Sequence, residues 1–214
     1  MSATDLRCKG LTRAHGGRIV LRAVDVEVAA GTSLVLLGSS GAGKTTLLRI
    51  VAGLDRADAG RVELGDELLS DPRVLVPPEE RRIGMVFQAL ELWPQMTVAE
   101  HLAFGLPGRP KGRAARKHPD VLALAEQVGL PLELLRRKPA TLSGGEQQRT
   151  AIARTLAARP GVVLYDEPLA NIDPDRRRSL RALIRRLARE HGTTLVYVTH
   201  DPEEALEIGY EIAV

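Results

Sequence analysis

The 214-residue sequence holds one cysteine, Cys8, so no internal disulfide is available and the chain suits a reducing compartment. Cys8 falls in the strand-like run Leu6-Arg7-Cys8-Lys9, where a thiol reads as a packing side chain rather than a nucleophile. Aromatic residues are scarce at 3%, too few to build a base-stacking platform for single-stranded nucleic acid. Lysine is scarce as well, with five residues against 25 arginines. The pI of 9.3 accompanies a formal charge of only +3, and reads as compositional bias rather than as a basic face. No apolar run nears the ~20 residues that span a bilayer. The opening residues Met1-Ser2-Ala3-Thr4-Asp5 lack the basic and apolar regions of a secretory signal. These absences argue against an integral membrane chain and against a secreted one.

What is present is 44% hydrophobic content, enough for a substantial core in one large domain or in a core with a small lobe. Val24, Val26 and Val28 alternate with Asp25 and Glu27, the period of a half-buried strand. Ser33–Leu37 is uniformly apolar, as in a strand buried on both faces of a parallel sheet. Residues 45–54 follow as a helix with Leu47, Leu48, Val51 and Leu54 on one face. Further strands are read at 61–64, 83–88, 162–165 and 194–199, and helices at 97–104, 119–128, 146–158, 176–191 and 202–208. The basic stretch 108–117 reads as a solvated loop, and the arginines of 176–189 as a solvated helix face. Strands alternating with helices predict an α/β domain with a mostly parallel sheet, interrupted by a helical lobe over 89–142.

Three patterns carry chemistry. Gly38-Ser39-Ser40-Gly41-Ala42-Gly43-Lys44-Thr45 leaves an apolar strand and opens a helix. In this G-x-x-x-x-G-K-[ST] pattern the glycines permit a tight turn whose N–H groups converge on phosphates. The helix N-terminus adds partial positive charge. Lys44 reaches the β- and γ-phosphates, and the Thr45 hydroxyl ligates Mg²⁺. The second pattern is the apolar run Val162-Val163-Leu164-Tyr165, which ends in Asp166-Glu167. Beside a phosphate loop, Asp166 is expected in the Mg²⁺ shell, and Glu167 polarises the attacking water as base or orienter. The third is Leu142-Ser143-Gly144-Gly145-Glu146-Gln147-Gln148-Arg149. Ser143 with Glu146 makes a capping box, and two glycines expose the first N–H groups of a helix, a second anion site on the same chain.

With these patterns in this order, the chain resembles the nucleotide-binding subunits of ATP-binding cassette (ABC) transporters. Residues 142–149 look like the family signature, 38–46 (through Thr46) like Walker A, and 162–167 like Walker B. Gln88 falls at the Q-loop, Ala170-Asn171-Ile172-Asp173 at the D-loop, and His200 at the switch histidine. His15-Gly16 stands where the family usually has an aromatic residue on adenine, so His15 is the expected adenine contact, with less area to stack than Tyr or Trp.

The resemblance implies an α/β P-loop NTPase (ABC ATPase) core with a parallel sheet, an N-terminal antiparallel β subdomain and an inserted α-helical subdomain. One domain then covers 1–214, with 1–88 and 160–214 as the ATP-binding core and 89–159 as the helical subdomain. ATP and Mg²⁺ are the implied ligands, the ion held by Thr45, Gln88 and Asp166, with Glu167, His200 and Gln88 as catalytic residues. A head-to-tail dimer is implied, in which Ser143, Gly144, Gly145, Glu146 and Gln147 meet the γ-phosphate on the partner subunit and Asp173 lies at the seam. Further implied partners are integral membrane permease subunits and, through them, a solute-binding protein; nucleic acid is not among them. The expected location is peripheral, at the cytoplasmic face of the membrane.

The run from Pro77 to Gln88, Leu92-Trp93-Pro94-Gln95-Met96, and Glu167-Pro168-Leu169-Ala170 are similar to ATPases of bacterial importers for sugars, polyamines, iron, sulfate or molybdate. An exporter subunit is the alternative. A nucleic-acid-associated ABC ATPase is disfavoured, because no heptads and no cysteine cluster lie between Gln88 and Ser143. As an importer subunit, the chain lines a groove for a permease coupling helix with residues 89–105. Trp93 and Met96 are then candidate contacts, or else core of the helical lobe. The sequence ends at Glu211-Ile212-Ala213-Val214, where the family usually continues through further strands and often a regulatory domain.

Overall fold

The computed structural model describes residues 4–170 and 172–214. Asn171 of the expected D-loop lies outside the described residues. The contacts divide the chain into two compact units: 1–85 with 161–167 and 188–214, and 86–160 with 168–187.

The first unit holds an antiparallel sheet. Strands β1 (Leu6–His15) and β2 (Arg18–Val28) form a hairpin, extended by β4 (Ala59–Leu64) and β5 (Glu67–Ser70) in the order β2-β1-β4-β5. The period-2 pattern sends Leu6, Cys8, Val62 and Leu64 into the core. Burial pushes the Cys8 thiol up to about 12, which fits a packing role.

The second sheet has the order β6-β7-β8-β3-β9. Its strands are β3 (Ser33–Leu37), β6 (Ile83–Val86), β7 (Val162–Asp166), β8 (Thr194–Thr199) and β9 (Glu211–Ala213). The pairs β7–β8, β8–β3 and β3–β9 are parallel. Every residue of β7 and β8 is buried, as expected of parallel strands covered on both faces. The register pairs Leu37 with Thr199 and Asp166 with Val198. Parallel neighbours end together, so Gly38, Glu167 and His200 all leave the sheet at one edge. That edge is where α/β proteins place their ligands.

Helix α1 (Lys44–Ala52) buries Leu47, Leu48, Ile50 and Val51 against Leu34, Leu36, Leu164 and Val198. Its last turn is capped by the buried Arg81. One guanidinium nitrogen donates to Ile50 O (3.0 Å) and Val51 O (2.9 Å), and Nε donates to Val76 O at 2.7 Å. A cation there complements the negative end of the helix dipole, although desolvation lowers its pKa.

The second unit contains helices α2 (Val98–Ala103), α3 (Gly112–Lys117), α4 (Pro119–Gln127), α5 (Gly144–Ala157) and most of α6 (Pro174–His191). Three sequence expectations need correction here. The strand expected over 83–88 ends at Val86, because Leu90 N–H turns back to Phe87 O (3.0 Å) and Leu90 and Glu91 adopt left-handed backbone. The stretch 108–117 carries the short helix α3, which buries only Ala115 and so has no apolar period to read. The arginines of α6 are not all solvated: Arg181 is buried, and Arg177 Nε donates to Ile172 O at 2.9 Å. Among the described residues no helix is long and apolar enough to cross a membrane.

Candidate nucleotide site

The phosphate loop runs from the end of β3 into α1. Gly43 has φ 91° and lies against β2, where a Cβ would stand 2.8 Å from Val20 O. Left-handed backbone and backbone contact together leave room only for glycine. Lys44 curls back into the loop, its Nζ donating to Gly38 O and Ser39 O at 2.7 Å each. The ammonium is thereby held among backbone groups where a phosphate would arrive.

Thr45 Oγ1 donates to Asp166 Oδ1 at 2.9 Å, so the hydroxyl and one carboxylate expected around Mg²⁺ are already in contact. Asp166 is buried at the end of β7. Desolvation raises its pKa, the Thr45 hydrogen bond opposes this, and the charge of Glu167 adds to the rise. A desolvated carboxylate beside a hydroxyl, in reach of a phosphate loop, fits a hard divalent cation, which prefers oxygen ligands.

This burial has a measurable sign. With its pKa raised on folding, Asp166 holds a proton more tightly in the folded chain. Its charge therefore costs no stability below the ordinary aspartate range, and the cost grows as pH rises through the folded value. Asp166→Asn should melt higher than the parent at about pH 8 without divalent ions, and the gap should close toward about pH 4. Thermal unfolding at both pH values tests this, and a lower midpoint for the variant at the higher pH would count against it.

Glu167 follows with φ 42°, a left-handed backbone unusual for a glutamate. Its N–H donates to Val198 O (3.1 Å), keeping β7 registered on β8 one residue past the strand. Its Oε2 accepts from His200 Nδ1 at 3.2 Å. The turn thus aims a carboxylate and an imidazole at each other across two strand ends, beside the phosphate loop. His15 stands at the exposed end of β1, its Nε2 3.7 Å from Asp55 Oδ2.

The second unit carries the remaining expected residues. Ser143 caps α5: its N–H donates to Glu146 Oε2 (2.7 Å), and its Oγ accepts from Glu146 N–H (3.4 Å). Gln147 Nε2 donates to Pro139 O (3.1 Å) and Leu142 O (3.3 Å), fixing the turn that leads into the helix. The Asp173 carbonyl accepts from Arg176 and Arg177 N–H at 2.9 and 3.1 Å, opening α6. Gln88 is exposed two residues past β6.

Behind Gln88 the chain turns sharply, and Arg154 of α5 holds the turn. Its guanidinium donates to Leu90 O (2.9 Å) and to Glu91 O, and lies 5.1 Å from the centre of the Trp93 ring. Trp93 also packs on His101 and Phe104, with ring centroids 5.7 and 4.5 Å away. The Trp93 backbone N–H donates to His101 Nε2 (3.0 Å), while His101 Nδ1 donates to Thr97 O (2.9 Å). That pattern needs the neutral imidazole, and burial lowers the His101 pKa accordingly. Trp93 packs within the helical unit but is only half-buried. Met96 instead lines a groove of about 430 Å³ with Gln95, Glu100, Phe104, Arg109 and Lys111.

A parallel sheet whose adjoining strand ends carry a phosphate loop, an acidic pair and a histidine defines an α/β P-loop NTPase. The ABC transporter family model matches residues 21–170, and the chain belongs to that family. It is 43% identical over 213 residues to the trehalose/maltose import ATP-binding protein MalK of Thermococcus litoralis, covering 98% of this chain and 56% of that protein. It is likewise 43% identical to the spermidine/putrescine import ATP-binding protein PotA of Marinobacter nauticus, covering 100% of this chain and 56% of that one. The chain spans about half the length of these curated relatives. Among solved structures it is similar to a dimeric bacterial ABC transporter cassette, with a TM-score of 0.81 and 32% identity over 97% of this chain and 92% of that one. A post-hydrolysis dimer of that cassette bound to ADP and Pi gives 0.80 and 33%, over 97% and 92%.

Proposed function

We propose that the chain is the ATP-hydrolysing cassette of an ABC importer, working as a head-to-tail dimer on the cytoplasmic face of the membrane. The observation that carries this reading is the clustering of Lys44, the Thr45–Asp166 pair and the Glu167–His200 pair at one edge of the parallel sheet. In this mechanism the amides of 38–46 and the Lys44 ammonium bind the β- and γ-phosphates of ATP, and His15 lies against the adenine. Thr45 and Asp166, with Gln88 as the third expected ligand, would hold Mg²⁺, which when bound would offset phosphate charge. Glu167 takes a proton from the attacking water, and His200 holds the Glu167 carboxylate in place and faces the γ-phosphate. Each chain carries one phosphate loop and one signature, so a two-chain sandwich gives both a nucleotide. Ser143, Gly144, Gly145, Glu146 and Gln147 close on the partner's γ-phosphate, with Asp173 at the seam.

Import is favoured by the names of the relatives, which are import ATP-binding proteins. On this reading permease subunits dock at the groove beside Met96, and a solute-binding protein joins through them. Residues 89–159 serve as the inserted helical subdomain of one cassette over 1–214.

ATP turnover by the purified chain tests the reading. Activity should require Mg²⁺, and the rate per chain should rise with protein concentration until dimers saturate. A rate per chain independent of concentration, in a chain that stays monomeric with ATP, would refute the sandwich.

A further inference from the structure

Beneath the Glu167–His200 pair lies a buried polar network that the proposed mechanism does not use. Glu204 sits in the first turn of α7 (Pro202–Ile208), with only 3% of its surface exposed. Its Oε2 accepts two hydroxyl hydrogen bonds, from Tyr197 Oη and Thr199 Oγ1, both at 2.9 Å. Tyr197 and Thr199 are buried residues of β8.

Thr199 is the junction. Its Oγ1 donates to Glu204 and accepts from Asp201 N–H at 3.0 Å. Its carbonyl accepts from Gly38 N–H, the entry to the phosphate loop, at 3.4 Å. Asp201 in turn caps α7, its Oδ1 accepting from Glu203 N–H at 2.8 Å. His200 is the single residue between the Thr199 hydroxyl and the Asp201 amide that it binds. Both sides of the histidine are therefore fixed through one hydroxyl, and that hydroxyl is fixed by Glu204.

A leucine at 204 would fill the space without burying a carboxylate. What a leucine lacks is an acceptor that holds a strand-end hydroxyl in one orientation. We infer that Glu204, acting through Thr199, is a positioning residue for His200: it sets the turn that carries the imidazole to Glu167. The inference rests on the reading of His200 as part of the hydrolytic site. It assigns Glu204 no contact with nucleotide or water.

The two hydroxyls on Glu204 make the test. Tyr197→Phe and Thr199→Val each remove one hydrogen bond from the same oxygen, but only Thr199 touches the His200 turn. Thr199→Val should lower kcat for ATP about ten- to hundredfold, as misplacement of a reacting group does. KM for ATP should stay within about twofold, marking loss at the hydrolytic step. Tyr197→Phe should keep kcat while losing comparable thermal stability. Thr199→Ser and Glu204→Gln, which retain a hydroxyl and an acceptor, should keep most of the turnover. In a His200→Ala background, Thr199→Val should lower the rate no further, because the two changes act through one group. Thr199→Ala serves in the same comparison should the valine prevent folding.

Equal loss of kcat in Tyr197→Phe and Thr199→Val would overturn the inference in favour of a general stabilising role. So would full turnover in Thr199→Val, or an undiminished effect of that change without His200. A His200→Ala chain that hydrolyses ATP at the parental rate would overturn the reading of His200 itself and the inference with it. A slow His200→Ala chain beside an unaffected Thr199→Val chain would overturn the positioning role alone.

Discussion

Glu167→Gln should lower ATP turnover at least about a hundredfold, the range for removing a positioned general base, while leaving nucleotide binding in place. The change keeps the shape of the side chain and one carbonyl oxygen. The contact from His200 Nδ1, 3.2 Å to Oε2, therefore has an acceptor in the variant too. What is lost is basicity. The left-handed backbone at 167 and the amide bond to Val198 O are set by the strand end and do not depend on the charge. In the proposed sandwich, which hydrolysis would reopen, the variant should accumulate as an ATP-bound dimer. Size-exclusion chromatography with and without MgATP, beside a steady-state phosphate-release assay, reads both effects. A variant that stays monomeric with ATP and turns over at the parental rate would remove Glu167 from its role.

Lys44→Ala should strike earlier, at binding. Its ammonium is held within the loop by two carbonyl bonds of 2.7 Å. Arriving phosphate oxygens would compete for it with charge-assisted hydrogen bonds, each worth about 1.5–3 kcal/mol. Losing one such contact predicts a Kd for ATP weakened about ten- to hundredfold. Lys44→Arg should rescue little, since a planar five-donor fork does not fit a space shaped for a compact ammonium. Calorimetric titration with ATP decides the matter. An unchanged Kd for Lys44→Ala would place the phosphates elsewhere.

The phosphate loop, the acidic strand end and the signature were readable because each is a contiguous run whose chemistry depends on local backbone. An apolar strand, three glycines and a lysine at fixed spacing dictate the turn between β3 and α1. Ser143 and Glu146 dictate a helix start, and the capping bonds lie where that spacing puts them. The Tyr197–Thr199–Glu204 network was not readable. It depends on α7 folding back beneath the end of β8, and a buried glutamate on a short helix looks no different in sequence from an exposed one.

The turn after Val86 was missed for a related reason. Left-handed residues usually announce themselves as glycine or asparagine, but here they are Leu90 and Glu91, held by an arginine 63 and 64 residues away. The arginines of α6 misled in the opposite direction. A run of like charge suggests solvent, yet Arg181 is buried, so position on the helix face outweighs charge there.

The corner behind Gln88 has a mechanical consequence. Two adjacent residues sit in a backbone well that neither prefers, and a single guanidinium grips both carbonyls while resting on Trp93. One side chain thus ties both carbonyls of the corner and the Trp93 ring to α5, so the segment behind Gln88 and the helix that Ser143 opens share a single fastening.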